Sequence, residues 1–474
     1  GVIYYEGKYT KQDINKAIDY FTFSADQNLP QAQFYLGLIY FEERYVTCDI
    51  LKAIHFYSLA ANQNHPQALF KLGMIYYEGK KVERNINKAI NYITLAAKQN
   101  DPGAQFILGT IYSDGQYVTR DIDKSIHYFQ LAADQNFTNA QFNLGVVYYE
   151  GKYVQRDINK AIHYFSLAAA QDIPNAQFNL GVIYDEGKYV ACDISKAIHY
   201  YSLAASQNYP DALMNLGFIF INGNKQTVDF KKAILYFTKA ANQNQPNAQF
   251  ILGSIYYEGK YAVRDISKAM YYLSLAAKQN YPNAQFNLGM IYYEGKFVSR
   301  DIDKAIHYFS LAANKNHPQA QCKLGLIYYE GRYLPRNINK AIQYFSLAAS
   351  QNLIQAQFNL GIIYVKNQYV KRDIDKAFHY FTLASNQNDS RAQFCLGLLY
   401  FEREKSIEDI KKGTYYIILS SKNGNRFANF AHGFLLHEGK FIKRNIQDAI
   451  HYYKEASSFN IKYAKNNLGI IYKN

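Results

Sequence analysis

The chain has 474 residues, 49% of them hydrophobic, with 47 tyrosines, 31 phenylalanines and a formal net charge of +14. That much apolar and aromatic material excludes an intrinsically disordered chain. No apolar run approaches the roughly 18 residues that a membrane span needs, and the positive charge is spread along the chain rather than gathered in a basic tail.

A Leu-Gly pair returns with a fixed 36-residue period. The glycines run from Gly1, Gly37 and Gly73 to Gly397, Gly433 and Gly469, fourteen in one register. They define thirteen full periods, so each unit can bury its core against its neighbours and residues 1–474 are expected to form one continuous array. The chain opens on Gly1-Val2-Ile3-Tyr4-Tyr5 and closes on Asn467-Leu468-Gly469-Ile470-Ile471-Tyr472, both in mid-unit. Repeat arrays normally carry atypical capping units, and the open ends point to a fragment of a longer protein.

One unit shows the expected elements. Pro174 suits a first helical position, where its missing N–H is not needed. Ala176, Leu180, Ile183 and Tyr184 then share one face of an amphipathic helix A, and Gly187 stops it. After a short link, Asp193 is placed to cap helix B; Asp or Asn fills this place in every unit from Asp13 to Asn445. The apolar stripe of helix B is Ile194, Ala197, Ile198, Tyr201, Ala204 and Ala205, and Asn208 ends it. Asp172 and Gly424 replace Asn208 in other units, an exchange that a left-handed backbone position allows. Gly181, inside helix A, costs about 1 kcal/mol relative to alanine. Close packing must offset it, and the Ala-Ala pair of helix B is the expected partner.

The motifs Ala-Gln-x-x-Leu-Gly-x-x-Tyr-x-x-Gly, Asp-x-x-Lys-Ala and Ala-Ala-x-Gln-Asn resemble the Sel-one-like repeat, a relative of the tetratricopeptide repeat. The resemblance covers essentially the whole chain. It implies an all-α fold, a right-handed superhelical solenoid of antiparallel helix pairs with about thirteen repeats, and a role as an adaptor or scaffold for protein complexes. The chain departs from the family at Tyr200, where an aromatic residue, often Trp, is usual, and at Asn208, where Gly is usual. The pentatricopeptide repeat has a similar period without this signature.

Further along, the pattern erodes at Glu43, across Asn222, Gly223, Asn224, Lys225, Gln226, Thr227 and Val228, and at Asn367. Residues 397–474 are the most divergent, with Arg403 at a loop-glycine place, Gly413 at a helix-B alanine and His432 at a helix-A leucine.

Catalytic signatures are missing: there is no Gly-x-Gly-x-x-Gly, Walker loop, His-Glu-x-x-His or Gly-x-Ser-x-Gly. No enzymatic activity and no cofactor are expected. His55, His127, His163, His199, His307, His379 and His451 recur on a polar face of helix B, too far apart for one metal ion. His432 and His437 sit five residues apart, on different sides of a helix, so no metal site is expected. Lys152, Arg156 and Lys160 recur beside Glu150 and Asp157, and this local compensation argues against a nucleic-acid surface. Cys48, Cys192, Cys322 and Cys395 form no Cys-x-x-Cys pair, which points to a reducing, intracellular and cytoplasmic setting. Two glycosylation sequons, at Asn136 and Asn388, are unremarkable in a chain so rich in Asn.

Asn143, Asn179, Asn215, Asn287 and Asn359 stand at one place of helix A, just before the core leucine. By the family resemblance this helix lines a concave groove. A primary amide both donates and accepts, so a row of them can pair with the backbone of an extended partner segment. The variable neighbours Val182, Ser254, Met290 and Phe218 would then supply selectivity. The expected function is a protein–protein scaffold. The alternatives are the repeat arm of a larger multidomain enzyme, such as a protein kinase, or a nucleic-acid-binding helical repeat.

Overall fold

The computed structural model describes residues 1–42, 47–223, 227–366, 368–403, 406–459 and 461–473. The sequence departures at Glu43, Asn224, Lys225, Gln226 and Asn367 lie outside the described residues. Every described element is an α-helix. Two compact units, Gly1–Tyr236 and Phe237–Asn474, are built from the same helix pairs.

The pair Pro174–Glu186 (helix A) and Ile194–Ser206 (helix B) follows from local chemistry. Pro174 occupies the first turn, and Gly187, at φ 59°, takes the left-handed conformation that terminates helix A. Asp193 accepts the Lys196 backbone N–H at 3.0 Å, satisfying one of the free donors at the start of helix B. At Asn208 the chain again turns left-handed (φ 60°), and its amide donates to the Ala205 carbonyl at 3.0 Å. Asp172 and Gly424 adopt the same conformation, as their exchange implied. The cap fails to repeat at Asp409: there Ser406 is the N-cap and accepts from the Asp409 amide at 3.1 Å, so the helix starts earlier.

Ala176, Leu180 and Ile183 of helix A and Ala197, Tyr201, Ala204 and Ala205 of helix B are buried. Full burial of a leucine or isoleucine side chain stabilises by about 1.5–3 kcal/mol. The glycine of helix A is packed closely, but against a different partner from the one expected. A β-carbon added to Gly181 would lie 2.5 Å from Tyr201 Cδ1; at Gly145, Gly289 and Gly325 it would meet the rings of Phe165, Phe309 and Phe345. The Ala-Ala pair faces onward instead: Ala168 and Ala169 cluster with Ala176, Leu180 and Ile183 of the following repeat. Thus the glycine–ring contact closes these hairpins, with Ile93, Leu273 and Ile417 in the ring's place at Gly73, Gly253 and Gly397, and the alanine pair joins hairpin to hairpin.

In the divergent repeats, Ser390–Arg403 pairs with Ile407–Lys422, and Arg426–Glu438 with Ile446–Ser458. Polar residues enter the core there together. His432 Nδ1 lies 3.2 Å from Ser421 Oγ, which donates to Asn429 Oδ1 at 2.8 Å. Burial holds the His432 imidazole below its usual pKa, with the nearby Lys422 acting in the same direction.

Candidate partner-binding face

Asn143, Asn179, Asn215, Asn287 and Asn359 are all half-buried, each immediately before a buried leucine. They lie at the margin between core and surface, on helix A. Asn359 Oδ1 accepts from Gln355 Nε2 at 3.3 Å, whereas its Nδ2 is buried without a hydrogen-bond partner.

Asn143 and Asn215 line clefts between successive repeats. Asn143 and Val146 border a cleft of about 210 Å³ with Ser113, Ser125 and Glu150. Asn215 and Phe218 border an equivalent cleft of about 410 Å³ with Asp185, Ile194 and Thr227. The residue thirty places earlier distinguishes these repeats. Ser113 and Asp185 precede Asn143 and Asn215, whereas Tyr149, Tyr257 and Tyr329 precede Asn179, Asn287 and Asn359. Tyr149 is half-buried and meets the Phe165 and Tyr189 rings edge-on, each at 6.3 Å between centroids. A serine or an aspartate leaves that volume open.

The larger cleft brings a carboxylate and a phenol together. The Tyr201 hydroxyl donates to Asp185 Oδ2 at 3.2 Å. Burial pushes the Asp185 carboxyl above its ordinary pKa; the Tyr201 hydrogen bond opposes this and nearby Glu186 adds to it. Burial also pushes the Tyr201 phenol up, with the Asp185 charge acting in the same sense. At the corresponding place in an earlier repeat, the buried Tyr57 hydroxyl has no partner, since Phe41 stands where Asp185 does.

Sequence reasoning missed a second row of amides. Gln33, Gln105, Gln141 and Gln177 in one unit, and Gln249, Gln285, Gln321, Gln357 and Gln393 in the other, are buried in the core. Gln177 Nε2 donates to the Ala169 carbonyl of the preceding repeat at 3.2 Å, and its Oε1 accepts from Gln207 Nε2 at 3.0 Å. The same links join Gln141 to Ala133 and Gln171, and Gln357 to Ala349 and Gln387. Buried amides must be paired, and here pairing stitches helix B of one repeat to both helices of the next. Both glutamines were present in the Ala-Gln and Ala-Ala-x-Gln motifs; their fixed separation of 30 residues was the available signal. Lys315 replaces the second glutamine beside Gln285, whose Oε1 is left without a partner.

The recurrent basic residues serve the solenoid. Arg156 Nε and one terminal nitrogen donate to the Tyr149 and Glu150 carbonyls at 2.9 and 2.8 Å, closing the end of helix A. Its guanidinium lies 4.8 Å from the Tyr189 ring of the next repeat. Lys160 lies over the Tyr148 ring at 4.9 Å, and that ring stacks on Tyr164 at 6.0 Å. His55, His127, His163, His199, His307, His379 and His451 are all exposed on helix B. Among the described residues no group of three or more His, Cys, Asp or Glu side chains could hold a metal ion, and no helix is long and apolar enough to cross a membrane.

The profile of the Sel1 repeat matches the chain thirteen times, contiguously from residues 1–29 and 30–65 through 390–425, and again at 427–458. The chain belongs to the Sel1 repeat family. Its members are generally protein-interaction scaffolds and typically not enzymes. A protective antigen from uropathogenic Escherichia coli displaying an SLR fold is similar at 26% identity and a TM-score of 0.67, over 89% of this chain and 90% of that one. A Sel1 repeat protein from Oxalobacter formigenes shares 31% identity at a TM-score of 0.58, over 65% of this chain and 90% of its own. No curated protein matches the chain. This Sel1 array is therefore an all-α solenoid of paired helices.

Proposed function

We propose that this Sel1 array is a non-enzymatic scaffold that receives a segment of a protein partner in the concave groove lined by helix A. The observation that carries this reading is the unpartnered, buried Nδ2 of Asn359, one of five half-buried asparagines at the same place of helix A. A buried polar group without a partner costs about 1–3 kcal/mol, and a peptide backbone offers both a carbonyl and an N–H to satisfy it. Val146 and Phe218, beside Asn143 and Asn215, give the groove side-chain selectivity. The divergent repeats of residues 397–474 belong to the same scaffold. Four unpaired cysteines accord with an intracellular, cytoplasmic setting. The engagement of Arg156 and Lys160 within the solenoid favours a protein partner over nucleic acid.

Affinity capture of the intact protein, read by mass spectrometry, identifies the occupant. Changing Asn179, Asn215 and Asn287 together to Ala should weaken that capture by about tenfold, equivalent to about 1.4 kcal/mol, with no lower melting temperature. Undiminished capture by the triple variant would exclude the asparagine row.

A further inference from the structure

The place that Tyr149 fills is also tyrosine at Tyr77, Tyr257, Tyr293 and Tyr329, and its smallest occupant is Ser113. Ser113 stands in the last turn of the helix Pro102–Asp114. Beside it, a cleft of about 210 Å³ opens between that helix, Ile122–Asp134 and Thr138–Glu150. The wall of this cleft lies wholly within the described residues 47–223.

The surroundings of Tyr149 show what such a space accepts. Its ring meets Phe165 and Tyr189 edge-on, and Tyr257, Tyr293 and Tyr329 meet Phe297, Tyr333 and Tyr369 in the same way, at 5.8–6.2 Å. Burial, then the charges of Glu186, Glu294 and Glu330, push the Tyr149, Tyr257 and Tyr293 phenols above their ordinary pKa. Each of these phenols therefore sits near a carboxylate of the following repeat. One period earlier, the counterparts of Phe165, Glu186, Lys188 and Tyr189 are Phe129, Glu150, Lys152 and Tyr153, and all four line the Ser113 cleft.

The frame around that cleft is intact. Arg120 donates to the Ser113 and Asp114 carbonyls at 2.9 and 3.0 Å and to the Tyr153 hydroxyl at 2.8 Å. Ser125, in place of the usual alanine, is buried and donates to the Gly109 carbonyl at 2.7 Å, within its own hairpin. The change falls on Tyr153: it is 51% exposed, whereas Tyr189, against Tyr149, is half-buried.

The geometry points to a tyrosine side chain of the partner protein as the occupant of the Ser113 cleft. This assignment rests on the scaffold reading above and names the chemistry of one anchor, beside Asn143. A cavity of about 150 Å³ suffices for benzene, so this volume takes one phenol ring. Phe129 and Tyr153 offer the ring contacts that Tyr149 makes in the next repeat. Glu150 accepts the guest hydroxyl in a charge-assisted bond. Phenylalanine lacks that donor, and phosphotyrosine brings a like charge to the carboxylate.

The pentapeptide acetyl-Ala-Ala-Tyr-Ala-Ala-amide is the probe, titrated against the full chain by saturation-transfer NMR. Versions with leucine, phenylalanine or phosphotyrosine in place of tyrosine are the comparisons. The tyrosine peptide should bind about fivefold more tightly than the leucine peptide and about threefold more tightly than the phenylalanine peptide. The phosphotyrosine peptide should bind about tenfold more weakly than the tyrosine peptide. Ser113→Tyr, which restores the ring of the next repeat, should abolish the tyrosine preference and melt no lower than the wild type. Equal binding of any comparison peptide, preference retained in Ser113→Tyr, or no transfer from the tyrosine peptide at millimolar concentration would overturn the assignment. A lower melting temperature for Ser113→Tyr would overturn it too, since the cleft would not fit a ring. Stronger binding of free L-tyrosine than of the pentapeptide would overturn the partner-protein source, as would self-association of the wild type that Ser113→Tyr removes. The two readings fail separately. Loss of capture in the asparagine triple variant without a tyrosine preference sinks only this anchor, whereas a tyrosine preference with undiminished capture sinks the asparagine row and leaves an isolated tyrosine site.

Discussion

The junctions at Tyr149 and Asp185 occupy the same place in adjacent repeats and solve the same problem differently. In the first, Tyr149 fills the space, Arg156 caps the helix and Phe165 packs on Gly145 without a hydroxyl to satisfy. In the second, a smaller acid opens a cleft, a cysteine gives up the cap, and Tyr201 replaces phenylalanine with a hydroxyl that finds Asp185. Three substitutions have moved together. A solenoid tolerates this because each repeat depends mainly on its neighbours, so one interface can exchange packing for polarity while the array continues on both sides.

What the junctions share is the glycine–ring contact, and breaking it should have the largest effect. Gly145→Leu or Gly181→Leu drives a branched side chain into a ring already 2.5 Å from the first added carbon. Overpacking typically costs 1–3 kcal/mol, here toward or beyond about 3 kcal/mol, enough to open the hairpin in a circular-dichroism melt. Gly469→Ala is the control: nothing lies within 4 Å of its added carbon, and helix propensity alone should make it neutral or stabilising. A Gly181→Leu melt indistinguishable from wild type would remove the contact as an organising feature.

The second test converts one junction into the other. Tyr149→Asp with Arg156→Cys should destabilise by about 1–3 kcal/mol, from lost packing and an uncapped helix. Adding Phe165→Tyr should recover part of that, about 0.5–1.5 kcal/mol, by supplying the hydroxyl that Asp185 enjoys. A thermodynamic cycle that finds no coupling between positions 149 and 165 would mean that the Asp185–Tyr201 pair is incidental.

The buried amide row reaches the Tyr149 junction through Gln177, gives way to Leu213 at the Asp185 junction, and lacks a donor beside Gln285. Lys315→Gln should give Gln285 Oε1 the donor that other repeats possess, raising stability by up to about 1 kcal/mol. Unfolding followed by a probe in that repeat would detect it; no gain would show that the orphaned oxygen already finds solvent.

These contrasts mark how far the sequence could be read. Helix boundaries around Pro174, Gly187, Asp193 and Asn208 were legible because caps and left-handed turns are local chemistry. The close approach at Gly181 was legible as a cost needing an offset, but its partner was not: Tyr201 and the Ala204–Ala205 pair share one stripe of helix B, and only the crossing of the helices decides which meets the glycine. The asparagine positions were correctly placed on helix A just outside the core. That Asn143 and Asn215 border clefts depends on Ser113 and Asp185 in the preceding repeat. Gln177 escaped notice for the same reason, since its partners Ala169 and Gln207 lie on other helices.

The smallest predicted effect isolates the charge at the unusual junction. The Asp185 carboxyl is raised by burial in the folded state, so the folded protein holds this proton at a pH where the unfolded chain has released it. The linkage therefore makes stability fall as pH rises from the ordinary aspartate value, near 3.9, through the raised folded one, and the deficit persists above it. Asp185→Asn removes the titration while keeping an acceptor for the Tyr201 hydroxyl. The variant should match wild type below the window and melt slightly higher at neutral pH, the difference growing only within the window. At Tyr149, Tyr149→Asn has no such charge to remove and should show no pH-dependent gain over that range. If Asp185→Asn instead lowered stability equally at all pH values, the carboxylate would be acting through its shape and hydrogen bond alone.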